Sequence, residues 1–334
     1  MAEKIRVLIV DDSALMREAL KQILLSDASI EVVGMARDGK EGAEKALTLK
    51  PDVITMDLKM PVMNGIEAIE TIMEKRPVPI IVVSSMDARV IASALSIGAM
   101  DFVPVTEEID QIAKGLIRKI KTASRVKPLR RIRIKPLPKA PAPGKKKITD
   151  KIIAIGISTG GPQALQVLLS LLPANLPAGI LIVQHISNGF IHGMAEWLRA
   201  TSHVDIKVAA AGDVLKSGTV YFAPDDYHMT IDEGGVIGLK EDTADKRVHI
   251  PSIDVMMNSV AASFGENAIG VIMTGMGRDG VEGIKAINKS GGTTIAQDEK
   301  TSVIYGMNKL AVDAGYIDKI VALEDMGKEL VKLL

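Results

Sequence analysis

Between residues 4 and 124 the chain alternates between two patterns. Short runs of strand length rich in Val and Ile, IRVLIV, IEVVGMA, DVITMD, PIIVVSS and DFVPV, are separated by stretches whose apolar positions recur at helical spacing. Leu15, Met16, Ala19, Leu20, Ile23 and Leu24 form one such stripe; Ile109, Ile112, Ala113, Leu116, Ile117 and Ile120 form another. This βα alternation predicts a parallel sheet covered on both faces, with its functional crevice at the carboxyl ends of the strands. The pattern resumes at ITDKIIAIG (148–156), with further strands expected at GILIVQH, TVYFAP, AIGVIMTG and GTTIAQD. Helices are expected over 162–172, 189–200, 253–264 and 279–288, and hairpin-like strands and loops around Asp225 and His249. The fold class is therefore α/β, with two doubly wound domains.

The segment between them breaks the pattern. RVKPLRRIRIKPLPKAPAPGKKK (125–147) has many Lys and Arg, several Pro and no acid. Proline and like-charge repulsion favour extended chain, so it reads as a semi-rigid tether, or as a strip that docks on an acidic surface. The expected domains are 1–124, the linker 125–147, and 148–334.

Composition narrows the chemistry. With 47 % apolar and 25 % charged residues in 334, the chain is suited to globular cores rather than to disorder. No segment approaches the roughly 18 uncharged apolar residues of a membrane helix, and no signal-peptide pattern precedes the first strand, so the expected place is the cytoplasm. There is no cysteine, which removes disulfides, thiolate nucleophiles and Cys-ligated metals. The net charge of zero gives no reason to expect nucleic acid as a partner.

At the strand ends of the first half stand Asp11 and Asp12, then Asp57, then Ser84 and Ser85. Carboxylates converging on one rim repel unless a cation neutralises them, and oxygen ligands beside a phosphate suit Mg²⁺. The segments DDS, MDLKMPVMNG and VSS stand in the order found in the response-regulator receiver domain, which the first 120 residues or so resemble. The resemblance implies a flavodoxin-like receiver in which Asp57 takes a phosphoryl group from a histidine kinase. It also implies that Asp11, Asp12, Asp57 and the Lys59 carbonyl hold Mg²⁺, and that Ser84 and Phe102 form the switch. One departure stands out: the family's lysine after the fifth strand falls near Val105, which puts the phosphorylation chemistry or its coupling to output in question.

In the second half, Gly156-Ile157-Ser158-Thr159-Gly160 fits G-x-S-x-G between a strand and a helix. Taken alone it reads as a strained turn projecting a catalytic serine, as a phosphate turn, or as a plain turn. His185 ends one further strand and Asp279 follows a turn, TGMG, beyond another. A serine, a histidine and an aspartate at three strand ends meet the needs of a nucleophile, its base and an orienting acid. Backbone N–H groups of TGMG, Met276 foremost, would face the oxyanion. In the common α/β-hydrolases the histidine comes last; here that role would fall to His249 with Asp225, a poorer arrangement.

The order Ser158, His185, Asp279, with GISTGGP, VQH, PSIDVMMNSVA, GVIMTGMGRDG and IAQDEKTSVIYGM, resembles the catalytic domain of the chemotaxis protein-glutamate methylesterases, the CheB family. With the receiver, the resemblance spans essentially the whole chain. It implies phosphorylation-regulated hydrolysis of glutamate methyl esters on chemoreceptors, and deamidation of glutamines, in bacterial or archaeal adaptation. The chemotaxis histidine kinase would be the phosphodonor, with no cofactor for the esterase. Asn308 stands where the family usually has proline, outside the triad motifs. The rival classes fit less well. A DNA-binding regulator would need a small helix-turn-helix output, which the strand-rich second half lacks. A pure scaffold would need no triad.

Overall fold

A computed structural model describes residues 3–105, 109–126, 150–241 and 249–334. The chain divides into two compact units, with their boundary inside the stretch read as a tether. Most of that tether lies outside the described residues.

The first unit runs β1 (Ile5–Val10), α1 (Ala14–Leu25), β2 (Ile30–Ala36), α2 (Gly39–Leu49), β3 (Val53–Met56), α3 (Gly65–Lys75), β4 (Ile80–Ser84), α4 (Ala88–Ile97), β5 (Asp101–Pro104) and α5 (Ile109–Ala123). The five strands lie in the order β2-β1-β3-β4-β5, all parallel. Val7 to Val10 and Ile80 to Val83 are buried on both sides, which is why these runs are uniformly apolar rather than alternating. The chain reverses its direction of travel across the sheet at β1, so a crevice opens beyond the carboxyl ends of β1 and β3. Helix starts are set by short polar side chains: Ser13 Oγ accepts from Met16 N, Asp38 from Glu41 N, and Asn64 forms a capping box with Glu67. Ser13, not Asp12, therefore caps α1. Of the first predicted stripe, Leu20 and Leu24 are buried, whereas Leu15 is 82 % exposed. Leu15 lies in the first turn of α1, at the crevice end of the βα unit, where the apolar core has already ended.

The second unit comprises β6 (Ile152–Ile157), α6 (Gly161–Ser170), β7 (Gly179–Gln184), α7 (Ile191–Thr201), β8 (Asp205–Val208), β9 (Thr219–Phe222), β10 (Tyr227–Ile231), β11 (Ile237–Glu241), α8 (Ile253–Phe264), β12 (Ala268–Ile272), α9 (Val281–Lys289), β13 (Thr293–Gln297), α10 (Met307–Asp313), β14 (Lys319–Val321) and α11 (Leu323–Lys332). Seven strands form a parallel sheet in the order β14-β13-β12-β6-β7-β9-β8, and β10 and β11 form a separate antiparallel pair. Alternate residues of β6 feed opposite cores: Ile153, Ile155 and Ile157 face α6, α7 and α11, while Ile152 and Ala154 face α8 and α9. Each such fully buried isoleucine contributes about 1.5–3 kcal/mol. From β6 the chain first builds the β7 side of the sheet and then returns to build the β12 side, so the switch point lies between β6 and β12. Strands β8 and β14 and helices α10 and α11 had no counterpart in the sequence pattern. The predicted helices at 162–172, 189–200 and 279–288 form with ends shifted by one or two residues; the last begins at Val281, not Asp279.

Candidate active site

In the first unit, Asp11, Asp57 and Ser84 converge at the crevice. Asp57 Oδ1 accepts from Leu58 N at 2.7 Å and from the buried Ser84 Oγ at 2.7 Å. Asp11 is buried and accepts from Ser13 N at 2.8 Å. Burial pushes its carboxyl up to about 6; the Ser13 N–H opposes this, the charges of Asp57 and Asp12 add to it, and Arg17 draws it down. Asp12 is exposed at the rim. Among the described residues no three acids or histidines are grouped closely enough to form a ready-made metal cage. The oxygen donors and an acid raised by burial and, less, by its acidic neighbours nonetheless fit a hard cation such as Mg²⁺, which keeps several waters and needs only one or two carboxylates. Phe102 is buried beneath Lys119, whose Nζ lies 5.9 Å from the ring centroid and pairs with Asp101 at 2.6 Å. Val105, at the position where the lysine was expected, donates its backbone N–H to the Ser84 carbonyl at 3.1 Å.

In the second unit Ser158 directly follows β6, at the sheet's switch point, and is only 9 % exposed. The turn departs from the expected form: Ser158 is not among the residues with positive φ, and the left-handed residue is Gly160, at φ 80°. The backbone contortion thus falls after the serine rather than on it. Ser158 N donates to the Thr274 carbonyl at 3.0 Å, and a Cβ built on Gly275 would lie 2.6 Å from Ser158 Cβ. Only glycine lets the TGMG turn approach the serine this closely. Gly275 N in turn donates to the Ile304 carbonyl, pinning the turn from behind. Met276, the expected oxyanion donor, is 43 % exposed on that turn.

His185 directly follows β7, and its Nε2 lies 2.9 Å from Asp279 Oδ2. Both side chains are 12 % exposed. Asp279 does not cap α9, where Gly280 takes that position. It sits on the N-terminus of α8: Oδ1 accepts from Ser252 Oγ and Asp254 N, both at 2.9 Å, and Oδ2 accepts from Ile253 N at 2.8 Å. Burial raises the carboxyl pKa most, but the hydrogen bond with His185 and those from Asp254 N and Ile253 N together outweigh it and hold Asp279 below the ordinary aspartate value. The acid is therefore held ionised against the imidazole. Because Nε2 faces the carboxylate, Nδ1 is the ring nitrogen left for proton transfer.

Sequence reasoning missed several residues here. His249, considered only as a member of another triad, stacks on His185 with ring centroids 4.5 Å apart, while Asp225 accepts from Gly189 N. Gln184 Nε2 donates to the carbonyls of Ser158 and His185, tying two strand ends together, and Gln297 Oε1 accepts from Thr274 N. These glutamines stand inside the quoted motifs VQH and IAQD, but their role depends on neighbours across the sheet.

Two parallel-sheet units with oxygen-rich crevices at their switch points define a receiver joined to a hydrolase. The comparisons with known proteins agree. Residues 153–330 match the CheB methylesterase family and residues 7–116 the response regulator receiver domain. A protein-glutamate methylesterase/protein-glutamine glutaminase of Pyrococcus abyssi is 45 % identical over 98 % of this chain and 93 % of its own, and its namesake from Thermotoga maritima 40 % identical over 99 % and 98 %. The crystal structure of the Thermotoga maritima CheB methylesterase catalytic domain is 37 % identical, covers 55 % of this chain and 98 % of its own, and has a TM-score of 0.53. The chain belongs to the CheB methylesterase family and is an enzyme of the hydrolase class, carrying a receiver domain of the response-regulator type.

Proposed function

We propose that this chain hydrolyses γ-glutamyl methyl esters on the cytoplasmic helices of chemoreceptors, and deamidates glutamines there, under control of its receiver. The observation that carries the reading is the hydrogen bond between His185 and Asp279, residues far apart in sequence, each beyond the end of a strand of the sheet whose β6 leads into Ser158.

In this mechanism Ser158 Oγ attacks the ester carbonyl as His185 Nδ1 takes its proton. Asp279 holds the proton on Nε2 and stabilises the imidazolium. The tetrahedral oxyanion is met by backbone N–H in the TGMG turn, Met276 foremost, a kind of donor worth on the order of 10²- to 10³-fold in rate. The C–O bond breaks, methanol leaves with the proton from His185, and water activated by the same imidazole releases glutamate. For glutamine the leaving group is ammonia.

In the receiver, Asp57 accepts the phosphoryl group from a phosphohistidine of the chemotaxis kinase: the P–N bond breaks as a P–O bond forms. Mg²⁺, when bound, neutralises the charge gathered there. Asp11, Asp12, Asp57 and the Lys59 carbonyl would hold it. Ser84 Oγ, already on Asp57, turns to a phosphoryl oxygen, and Phe102 answers the move. Phosphorylation thereby weakens the receiver's hold on the esterase; a change from 1:99 to 99:1 requires about 5.5 kcal/mol of differential stabilisation. The domains are those read from sequence, 1–124 and 148–334 joined by the basic linker. Among the described residues no helix is long and apolar enough to cross a membrane.

The test is methanol release from methylated receptor with and without a small-molecule phosphodonor and Mg²⁺. The reading predicts a rate that rises with the donor in the parent chain and not in Asp57→Asn. No methanol under either condition contradicts it.

A further inference from the structure

The helix that receives Asp279 also carries a second carboxylate toward it. Asp254, in the first turn of α8, gives its backbone N–H to Asp279 Oδ1 at 2.9 Å. Its own Oδ1 accepts from Gly280 N at 2.9 Å and Gly283 N at 2.7 Å. The contact is reciprocal: the N-terminus of α8 binds the acid of the α9 entry, and an acid of α8 binds the backbone at the N-terminus of α9. Gly283 shows how close the two helices come, since a Cβ there would lie 2.6 Å from Met257 Cβ and 3.2 Å from Asp254 Cα. Neither the serine, the base nor the oxyanion turn requires Asp254, and nothing in the mechanism above uses it.

We propose that Asp254 is a positioning residue of the hydrolytic site, clamping the turn that carries Asp279 and adding a second carboxylate charge beside it, so that the pair sets the charge felt by His185. The inference rests on the triad reading. Two carboxyl groups in one shielded place do not both ionise freely, and the proton settles on the one with fewer donors. Asp279 has His185, Ser252 Oγ and two backbone N–H groups; Asp254 has two backbone N–H groups. In keeping with this, burial raises Asp254 to about 6, opposed by Gly283 N–H and increased by the charge of Asp279, whereas Asp279 is lowered. The groups around Asp254 add no competing charge. From α9, Glu282 and Lys285 pair with each other at 2.8 Å; from β10, His228 Nδ1 accepts from Ser252 N; and β6 and β12 carry only apolar residues. Behind Asp279 stands His185, with His249 stacked on it.

Two substitutions separate the clamp from the charge. Asp254→Asn keeps an oxygen for Gly280 and Gly283 and offers Asp279 a permanent N–H donor. With one carboxylate fewer near His185, the acid limb of kcat/KM moves down by about 0.5–1 pH unit while KM is unchanged. Asp254→Ala removes the clamp, and kcat falls about 10²-fold with KM little changed, as expected when an orienting group is misplaced. A purely structural role would lower the melting temperature and leave the pH profile of Asp254→Asn superimposed on that of the parent; that superposition overturns the proposal. An NMR titration of the His185 ring in full-length Ser158→Ala, with and without Asp254→Asn, reads the same shift without catalysis. If Ser158→Ala stays active, the triad reading fails. If it is inactive and the His185 titration does not move, this proposal fails and the triad reading stands.

Discussion

Asn308 stands at a position where the family usually has proline, and nothing in the sequence suggested a role for it. It is completely buried in the first turn of α10; its Nδ2 donates to the Gln297 carbonyl at 3.0 Å and to Ser302 Oγ at 2.8 Å. Gln297 in turn supports Thr274, whose carbonyl receives Ser158 N. A proline there would supply neither donor, so in this chain the amide fastens the 297–302 loop behind the serine turn. Asn308→Ala leaves a buried carbonyl and hydroxyl short of a partner, which typically costs about 1–3 kcal/mol. Chemical denaturation of the second unit should show that loss, and an unchanged midpoint would contradict the role given to the amide. That Ser158, His185 and Asp279 stand at or beyond strand ends could be read in advance, because a parallel sheet brings its strand ends to one rim. The contacts of Asp254, His249 and Asn308 could not, because they come from a third element whose approach no local pattern encodes.

At the scale of elements, the receiver's sheet gathers more negative charge than its own structure neutralises. Asp11 ionises near 3.8 in an unfolded chain and near 6 in the fold, so the folded state binds its proton more tightly. Between those values the unfolded state holds fewer protons, and stability falls as pH rises, by about 3 kcal/mol over the whole span. A cation at the crevice would favour the ionised carboxylate and so offset that burial and the neighbouring charges. Unfolding of the full chain should therefore show a receiver transition that moves to higher temperature from pH 7 toward 5, and at pH 7 on adding Mg²⁺; Asp11→Asn should lose both responses. An Asp11→Asn chain with the parent's pH slope and Mg²⁺ response contradicts this. Most of the strands and their parallel run were legible from the apolar runs, since runs buried on both faces announce a parallel sheet; their order across the sheet was not. The antiparallel β10–β11 pair appeared only as hairpin-like, and β8 and β14 escaped notice because each is an edge strand with three residues exposed or partly so, of four in β8 and of three in β14. The exposed Leu15 shows the converse: helical spacing marks a stripe without showing where the core beneath it ends.

For the whole molecule, we propose the receiver as a switch and assign to the second unit chemistry that needs nothing from the receiver's crevice. All the groups assigned to ester cleavage, Ser158, His185, Asp279 and the TGMG turn, come from the second unit. The relay depends on the serine, since a base and an acid without a nucleophile give no acyl-enzyme. Methanol release from methylated receptor by full-length Ser158→Ala, its fold verified by circular dichroism, is the most direct measurement. The account predicts a rate at least about 10³-fold below that of the parent chain; release at the parent rate contradicts it.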